Sequence, residues 1–214
     1  MKQLIASIFH EHRGCYGYRR IHCELQKRGL KFSGKTVRKL MQQLGLKSPV
    51  RAPCEKWVTD ITEFRAGGQK LYLSPILDLF NGEIVAWETA CRPTEELVKR
   101  MLNKGLESLA EGEKPLLHSD QGWHYRIKSY QSALADRGLV QSMSRKGNCL
   151  DNAVMENFFG HLKEEMYYRR DYRNVEELEN AVNEYITYWN QKRIKLSLGG
   201  LSPVEYRTEY QKAG

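Results

Sequence analysis

Apolar residues in the first 45 positions recur at helical spacing. Leu4, Ile5, Ile8 and Phe9 form one stripe, Tyr18, Ile21 and Leu25 a second, and Val37, Leu40, Met41 and Leu44 a third. Breaks fall at 14–17, at 29–34 and at Gly45, with Gly29 and Gly45 placed as C-terminal stops and Ser33 as an N-cap. Three short helices over residues 1–46 have the size of a helix-turn-helix domain. Residues 47–56, KSPVRAPCEK, hold two prolines and no period, and read as a linker. From residue 57 the pattern becomes that of strands: WVTDITEF at 57–64, LYLSPILDLF at 71–80 after a Gly67-Gly68 turn, and EIVAWETA at 83–90 after an Asn81-Gly82 hairpin signal. A helix follows from Thr94 to about residue 110, with Glu95 and Glu96 in its first turn. Next come a short apolar strand at 115–119, a helix at 127–137 stopped by Gly138, a strand at 139–142 and another helix. That order predicts an α/β layer round a mixed five-stranded sheet over residues 57–170. Residues 171–214 read as a helical extension, with a long amphipathic helix at 175–191 and LSPVEYRTEY at 201–210 as a capping segment. There are no internal repeats and no low-complexity tract.

The last helix of the α/β layer follows a polar, basic loop. On a helical wheel Val154, Met155, Phe158, Phe159, Leu162 and Met166 fall within roughly 140° of arc, with Asn152, Glu156 and Lys163 at its edge. Glu156 therefore belongs at a core boundary, able to face a cleft. Lys163 lies two turns on, about 10 Å away at the helical rise. An ordinary amphipathic helix with a polar face fits the same pattern, so the rest of the chain has to decide.

Charge changes the picture once it is divided along the chain. The net charge of +8 is carried by the front: residues 1–50 hold eleven Lys/Arg against two Asp/Glu, residues 51–214 hold 23 against 24. A polyanion-binding module joined to a near-neutral domain explains this segregation. Lys35, Arg38 and Lys39 lie off the apolar stripe of the third helix, and Arg19 and Arg20 open the second, as a recognition surface for phosphates and groove edges would have them. A trihelical protein-docking module is the plainer alternative. His10, His12, Cys15, His22 and Cys23 lack the paired spacing of a tetrahedral zinc site. The five cysteines are scattered without a C-x-x-C pair and fit reduced thiols in the cytoplasm. No apolar run approaches the length of about 20 residues that crosses a bilayer, and no signal peptide opens the chain.

Three carboxylates stand out by position. Asp60 interrupts the apolar pattern of the first strand, where a charge is costly unless it is paired or binds metal. Asp120 directly follows the fourth strand in His-Ser-Asp-Gln-Gly, at the carboxyl end where open α/β sheets gather ligands. Glu156 follows Asp120 with 35 residues between them. Three hard oxygen ligands from different elements are what a pair of Mg²⁺ or Mn²⁺ ions needs to bridge a phosphodiester.

At this point the chain resembles a family. Tyr16-Gly-Tyr-Arg-Arg-Ile21, Trp57-Val-Thr-Asp60-Ile-Thr62, His118-Ser-Asp120-Gln-Gly122, the run from Ser144 to Ala153, Glu156-Asn-Phe-Phe159 with Lys163, and Leu201-Ser-Pro-Val-Glu-Tyr-Arg207 are similar to motifs of the OrfB-type transposases of bacterial insertion sequences. The resemblance spans nearly the whole chain. It implies a ribonuclease-H-like, retroviral-integrase-like core with a D, D, 35, E triad, preceded by a helix-turn-helix domain and followed by a helical extension. Asp60, Asp120 and Glu156 would then hold two Mg²⁺ or Mn²⁺ ions, and water followed by a DNA 3′-hydroxyl would be the nucleophiles. Arg19, Arg20, Lys35, Arg38, Lys39, Arg145, Lys146, Asn152 and Lys163 would contact DNA or order the loop beside it. His118 and His124 would shape the site rather than ligate, and Trp57, Trp87 and Trp189 would be core residues. The implied partners are double-stranded DNA at element ends and target, further copies of the chain assembled on that DNA, and an upstream-frame transposase subunit. The implied location is the bacterial cytoplasm, at the nucleoid, with no membrane. Two departures stand against the family pattern: a short linker before Trp57, and a start at Met1 just ahead of the first helix. They keep open a non-catalytic DNA-binding remnant that occupies element ends. Ribonuclease H activity on hybrids shares the fold but leaves the basic front unexplained.

Overall fold

The computed structural model describes residues 1–12, 14, 16–46, 56–144 and 153–212. The chain divides into two compact units, Met1–Arg51 and Ala52–Gly214. The front unit holds three helices, α1 (Lys2–Glu11), α2 (Tyr18–Lys27) and α3 (Gly34–Gln43). Ile5, Ile8, Phe9, Ile21, Leu25, Val37 and Met41 form its core, the stripes expected from the sequence. The stops act as predicted. Ser33 Oγ accepts the Thr36 amide at 3.1 Å, and Gly29 and Gly45 adopt φ of +77° and +62°, the left-handed conformation that closes a helix without a Cβ penalty. Arg28 ties α2 to α1 by reaching Glu11 at 2.9 Å.

The second unit is built on β1 (Lys56–Thr59), β2 (Thr62–Ala66), β3 (Gln69–Asp78), β4 (Ile84–Ala90), β5 (Leu116–Ser119) and β6 (Gln141–Met143). β3 is antiparallel to β1, β2 and β4, while β5 runs parallel to β1 and β6 parallel to β5. The sheet has six strands where the sequence pattern predicts five, because the segment at 57–64 is split. β1 and β2 nonetheless share one register along the same edge of β3, Thr59 opposite Ile76 and Thr62 opposite Leu73. The gap puts Asp60 opposite Pro75. The Leu79 amide donates to the Lys56 carbonyl at 2.9 Å, which sets every second opposed pair as a hydrogen-bonding pair and makes Asp60 and Pro75 one of them. Pro75 has no hydrogen to donate. The ladder therefore breaks at Asp60, and the acid sits half-buried in a gap rather than in mid-strand.

Alternation along the strands separates two cores. Val58, Leu77, Phe64, Leu71, Leu73 and Ile84 pack with α6 (Ala153–Glu165) and α7 (Val175–Gln191). Trp57, Ile76, Ala86 and Leu117 pack with α4 (Glu95–Glu107) and α5 (Lys128–Asp136). The helical extension shares the first of these cores: Leu178, Val182, Tyr185, Ile186 and Trp189 of α7 are buried there. At the end of α7, Asn190 replaces a strand partner, accepting the Ile84 amide and donating to the Ile84 carbonyl, both at 2.9 Å. The segment expected only to cap is itself a helix, α8 (Pro203–Lys212). Pro203 stands in its first turn, and Glu205 reaches back to the Ser202 amide at 2.8 Å, a capping box.

Candidate active site

Lys56, Trp57 and Val58 of β1 stand beside Leu116, Leu117 and His118 of β5 in parallel register. Continued by two residues, that register brings Asp60 level with Asp120, each just past the carboxyl end of its strand. Neighbouring strands lie about 4.8 Å apart, so the two acids stand side by side. Both share the alternation of Val58 and His118 and so project toward the face that α6 covers. Each carboxylate is oriented by an amide of its own turn: Asp60 Oδ1 accepts Ile61 N at 2.7 Å, and Asp120 Oδ1 accepts Gly122 N at 2.8 Å. Gly122 permits this approach, since a Cβ there would fall 2.8 Å from Asp120 Oδ1.

The surrounding residues hold the strand ends rather than offer ligands. His118 uses both ring nitrogens on serines, Nδ1 with Ser142 Oγ at 3.0 Å and Nε2 with Ser144 Oγ at 3.1 Å, and so clamps β5 to β6. His124 Nε2 donates to the Pro93 carbonyl at 2.9 Å. Both histidines are thus bonded to neighbouring residues of the strand ends and turns. Trp57 and Trp189 are core residues, and Trp87 is half-buried with its Nε1 donating to Asn183 Oδ1 at 2.7 Å.

Two residues of the turn after Asp120 escaped the sequence reading. Trp123 is 57% exposed, on a short 3-10 turn (Trp123–Arg126), with its ring tilted over His124 at 3.9 Å between centroids. Tyr125 points the other way and is buried at 1% exposure. Its hydroxyl has no hydrogen-bond partner, nor has that of buried Thr59 on β1. The two hydroxyls are close, without the geometry of a formed bond. Burial pushes the Tyr125 phenol well up from its ordinary value, with Tyr130, Asp60 and Asp120 adding to the effect and the nearby Thr59 hydroxyl opposing it. The only sequence signal was an aromatic pair directly after an Asp-x-Gly turn, which does not separate a buried ring from an exposed one.

Glu156 opens α6 and is exposed beside buried Met155, rather than at the core boundary the wheel suggested. Among the described residues no group of three His, Cys, Asp or Glu is gathered closely enough to hold a metal ion. Lys163 is half-buried two turns further along α6, its Nζ 5.6 Å from the centre of the Phe64 ring. Arg145, Lys146 and Asn152 lie outside the described residues. In the front unit Arg19, Arg20, Lys35, Arg38 and Lys39 are all exposed. No helix among the described residues is long and apolar enough to cross a membrane.

The fold of the second unit is that of an integrase catalytic core. The HTLV-2 integrase catalytic core domain, solved in complex with magnesium, superposes with a TM-score of 0.56 at 18% identity, covering 72% of this chain and 96% of that one. A chain of the simian T-cell lymphotropic virus intasome gives 0.60 at 17% identity over 89% of this chain and 70% of that one. Family models agree by region: an HTH-like domain at residues 1–53 and integrase core domains at 50–149 and 156–210. InsK of Escherichia coli strain K12, whose name reads "Putative transposase InsK for insertion sequence element IS150", is 45% identical over 98% of this chain and 83% of its own length. A transposase-like protein of Haemophilus influenzae is 46% identical over 84% of this chain and 95% of its own length. The chain belongs to the insertion-sequence transposases with an integrase core, enzymes that cut and transfer DNA strands, and its function is DNA transposition. The match to InsK runs over 235 positions, more than this whole chain of 214 residues, so that relative carries residues with no counterpart here.

Proposed function

We propose that this chain cuts DNA at the ends of an insertion sequence and joins them to a target, using Asp60, Asp120 and Glu156 as the acidic centre and divalent cations as cofactor. The observation that carries the reading is the pair of aspartates level with each other at the ends of adjacent parallel strands. The donor set suits a hard cation: two carboxylates on the sheet, a third on the helix covering that face, and a neighbouring histidine whose nitrogens are already engaged. Two Mg²⁺ or Mn²⁺ ions, when bound, supply activation of the attacking oxygen and stabilisation of the departing one.

The chain's own residues set the geometry of both steps. In the first, water attacks the scissile phosphorus and gives up a proton, the P–O3′ bond breaks, and the oxygen that leaves takes up a proton to become a 3′-hydroxyl. In the second, that hydroxyl attacks a target phosphodiester, loses its proton and displaces a second 3′-oxygen. No covalent link to protein is required, because water and then the DNA 3′-hydroxyl serve as the nucleophiles. Lys163, with Arg145, Lys146 and Asn152 ahead of α6, would hold the strand near the scissile phosphate. Arg19, Arg20, Lys35, Arg38 and Lys39 would grip the element end. Assembly of several copies on DNA, an upstream-frame partner subunit and a place at the nucleoid in a reducing cytoplasm belong to the same reading.

The relative's extra length favours one rival, a remnant that binds ends without cutting them. Incubating the protein with a labelled duplex that carries a cognate end, in Mn²⁺, separates the two. The enzyme reading predicts nicking that Asp120→Asn and Glu156→Gln abolish; tight binding without any nicking by the wild type would leave the remnant.

A further inference from the structure

We propose that Tyr125 is a positioning residue for the Asp60–Asp120 pair. Its hydroxyl donates to an oxygen of one of the two carboxylates through one enclosed water shared with Thr59, and so fixes the pair for a divalent cation. The inference rests on the metal role proposed above.

The first support is that the hydroxyl has no partner of its own. Tyr125 is 1% exposed and Thr59 0%; their hydroxyls lie within reach of each other but short of bonding geometry, and neither has another partner. Buried polar groups are normally satisfied, and exceptions cluster where a water, an ion or a catalytic task is to be served. A phenylalanine ring would fill the same space without burying an orphan. The ring is also firmly held. Tyr125 N donates to the Gly122 carbonyl at 3.1 Å, the Tyr125 carbonyl accepts Gln141 Nε2 at 2.7 Å, and the Tyr130 ring packs edge-on at 5.6 Å. The Gly122 amide in that turn is the one that orients Asp120, so carboxylate and phenol are set by three consecutive residues of backbone and the ring that follows.

The second support is position. Thr59 immediately precedes Asp60 and alternates to the α4–α5 side of the sheet, the side on which Tyr125 is buried. The phenol thus approaches the strand ends from beneath, while α6 and Glu156 belong to the opposite face. A water between the Tyr125 hydroxyl, the Thr59 hydroxyl and a carboxylate has three polar partners, the number that buried waters ordinarily make. A phenol carries its proton at neutral pH, so it acts as a donor. Partners that orient metal-binding carboxylates from behind commonly contribute about 10- to 100-fold in metal affinity.

The test is a Mn²⁺ titration of the full chain followed by electron paramagnetic resonance, with Tm measured alongside. Wild type is expected to bind Mn²⁺ in a manner that Asp120→Asn removes. Tyr125→Phe is expected to weaken that binding about tenfold while Tm stays the same or rises. Binding by Tyr125→Phe equal to wild type overturns this inference alone and leaves the acidic centre standing. Absence of any Asp120-dependent Mn²⁺ binding in the wild type removes the metal role and the inference together. A Tyr125→Phe protein that fails to fold also overturns it, because the hydroxyl would then have a structural partner.

Discussion

At the scale of single residues, the site depends on atoms that are not acids. Gly122 keeps φ in the ordinary range, at −52°, so its lack of a side chain answers a steric need: a methyl group there would sit 2.8 Å from Asp120 Oδ1 and 3.4 Å from the Tyr125 ring. Gly122→Ala is expected to push the carboxylate aside and cut nicking by about 10²-fold, with Tm changed by only a few degrees, as a gel assay and a melting curve would show. Unchanged nicking would mean that Asp120 has slack this structure does not display. The end-of-strand position of Asp120 was legible in the sequence, whereas Asp60 was read in mid-strand and lies in the gap between β1 and β2. Tyr125 and Trp123 were not legible. One is buried and the other exposed although a single residue separates them, and in a tight 3-10 turn no simple period assigns sides.

At the scale of elements, the long reach of partners explains both what the pattern captured and what it missed. The helical period placed α7 at its observed bounds, since seven of its positions face a core. It could not show that Asn190, on that buried face, finishes the sheet by bonding both backbone groups of Ile84. Asn190→Ala leaves a buried donor and a buried acceptor unpaired and is expected to cost roughly 2–4 kcal/mol, measured as a shift of the urea midpoint at constant m-value. A loss under 0.5 kcal/mol would show that water replaces the amide. The split of β1 from β2 was equally hidden, because its cause, Pro75, lies fifteen positions from Asp60 in the chain and meets it only through strand pairing.

At the scale of the whole molecule, division of labour follows charge. The eleven basic residues against two acidic ones in the first fifty decorate a three-helix unit whose α3 exposes Lys35, Arg38 and Lys39 beside a buried Val37 and Met41. If these side chains meet phosphates, Arg38→Ala should lower the slope of log binding constant against log salt by about one, at every duplex sequence tried. A slope equal to that of wild type would take Arg38 off the DNA. The parallel pairing of β1 with β5 has a further consequence, for how such chains can change in length. Asp60 and Asp120 are level because two strands match residue for residue, and nothing in that match counts the residues between them. The turn at 110–114 can grow or shrink without moving either acid. A single residue inserted within 57–60 or 116–120 instead exchanges an aspartate for a neighbour that faces the other side of the sheet. The spacing between the first two acids is therefore free to drift among descendants of this chain, whereas the few residues that lead into each acid are not.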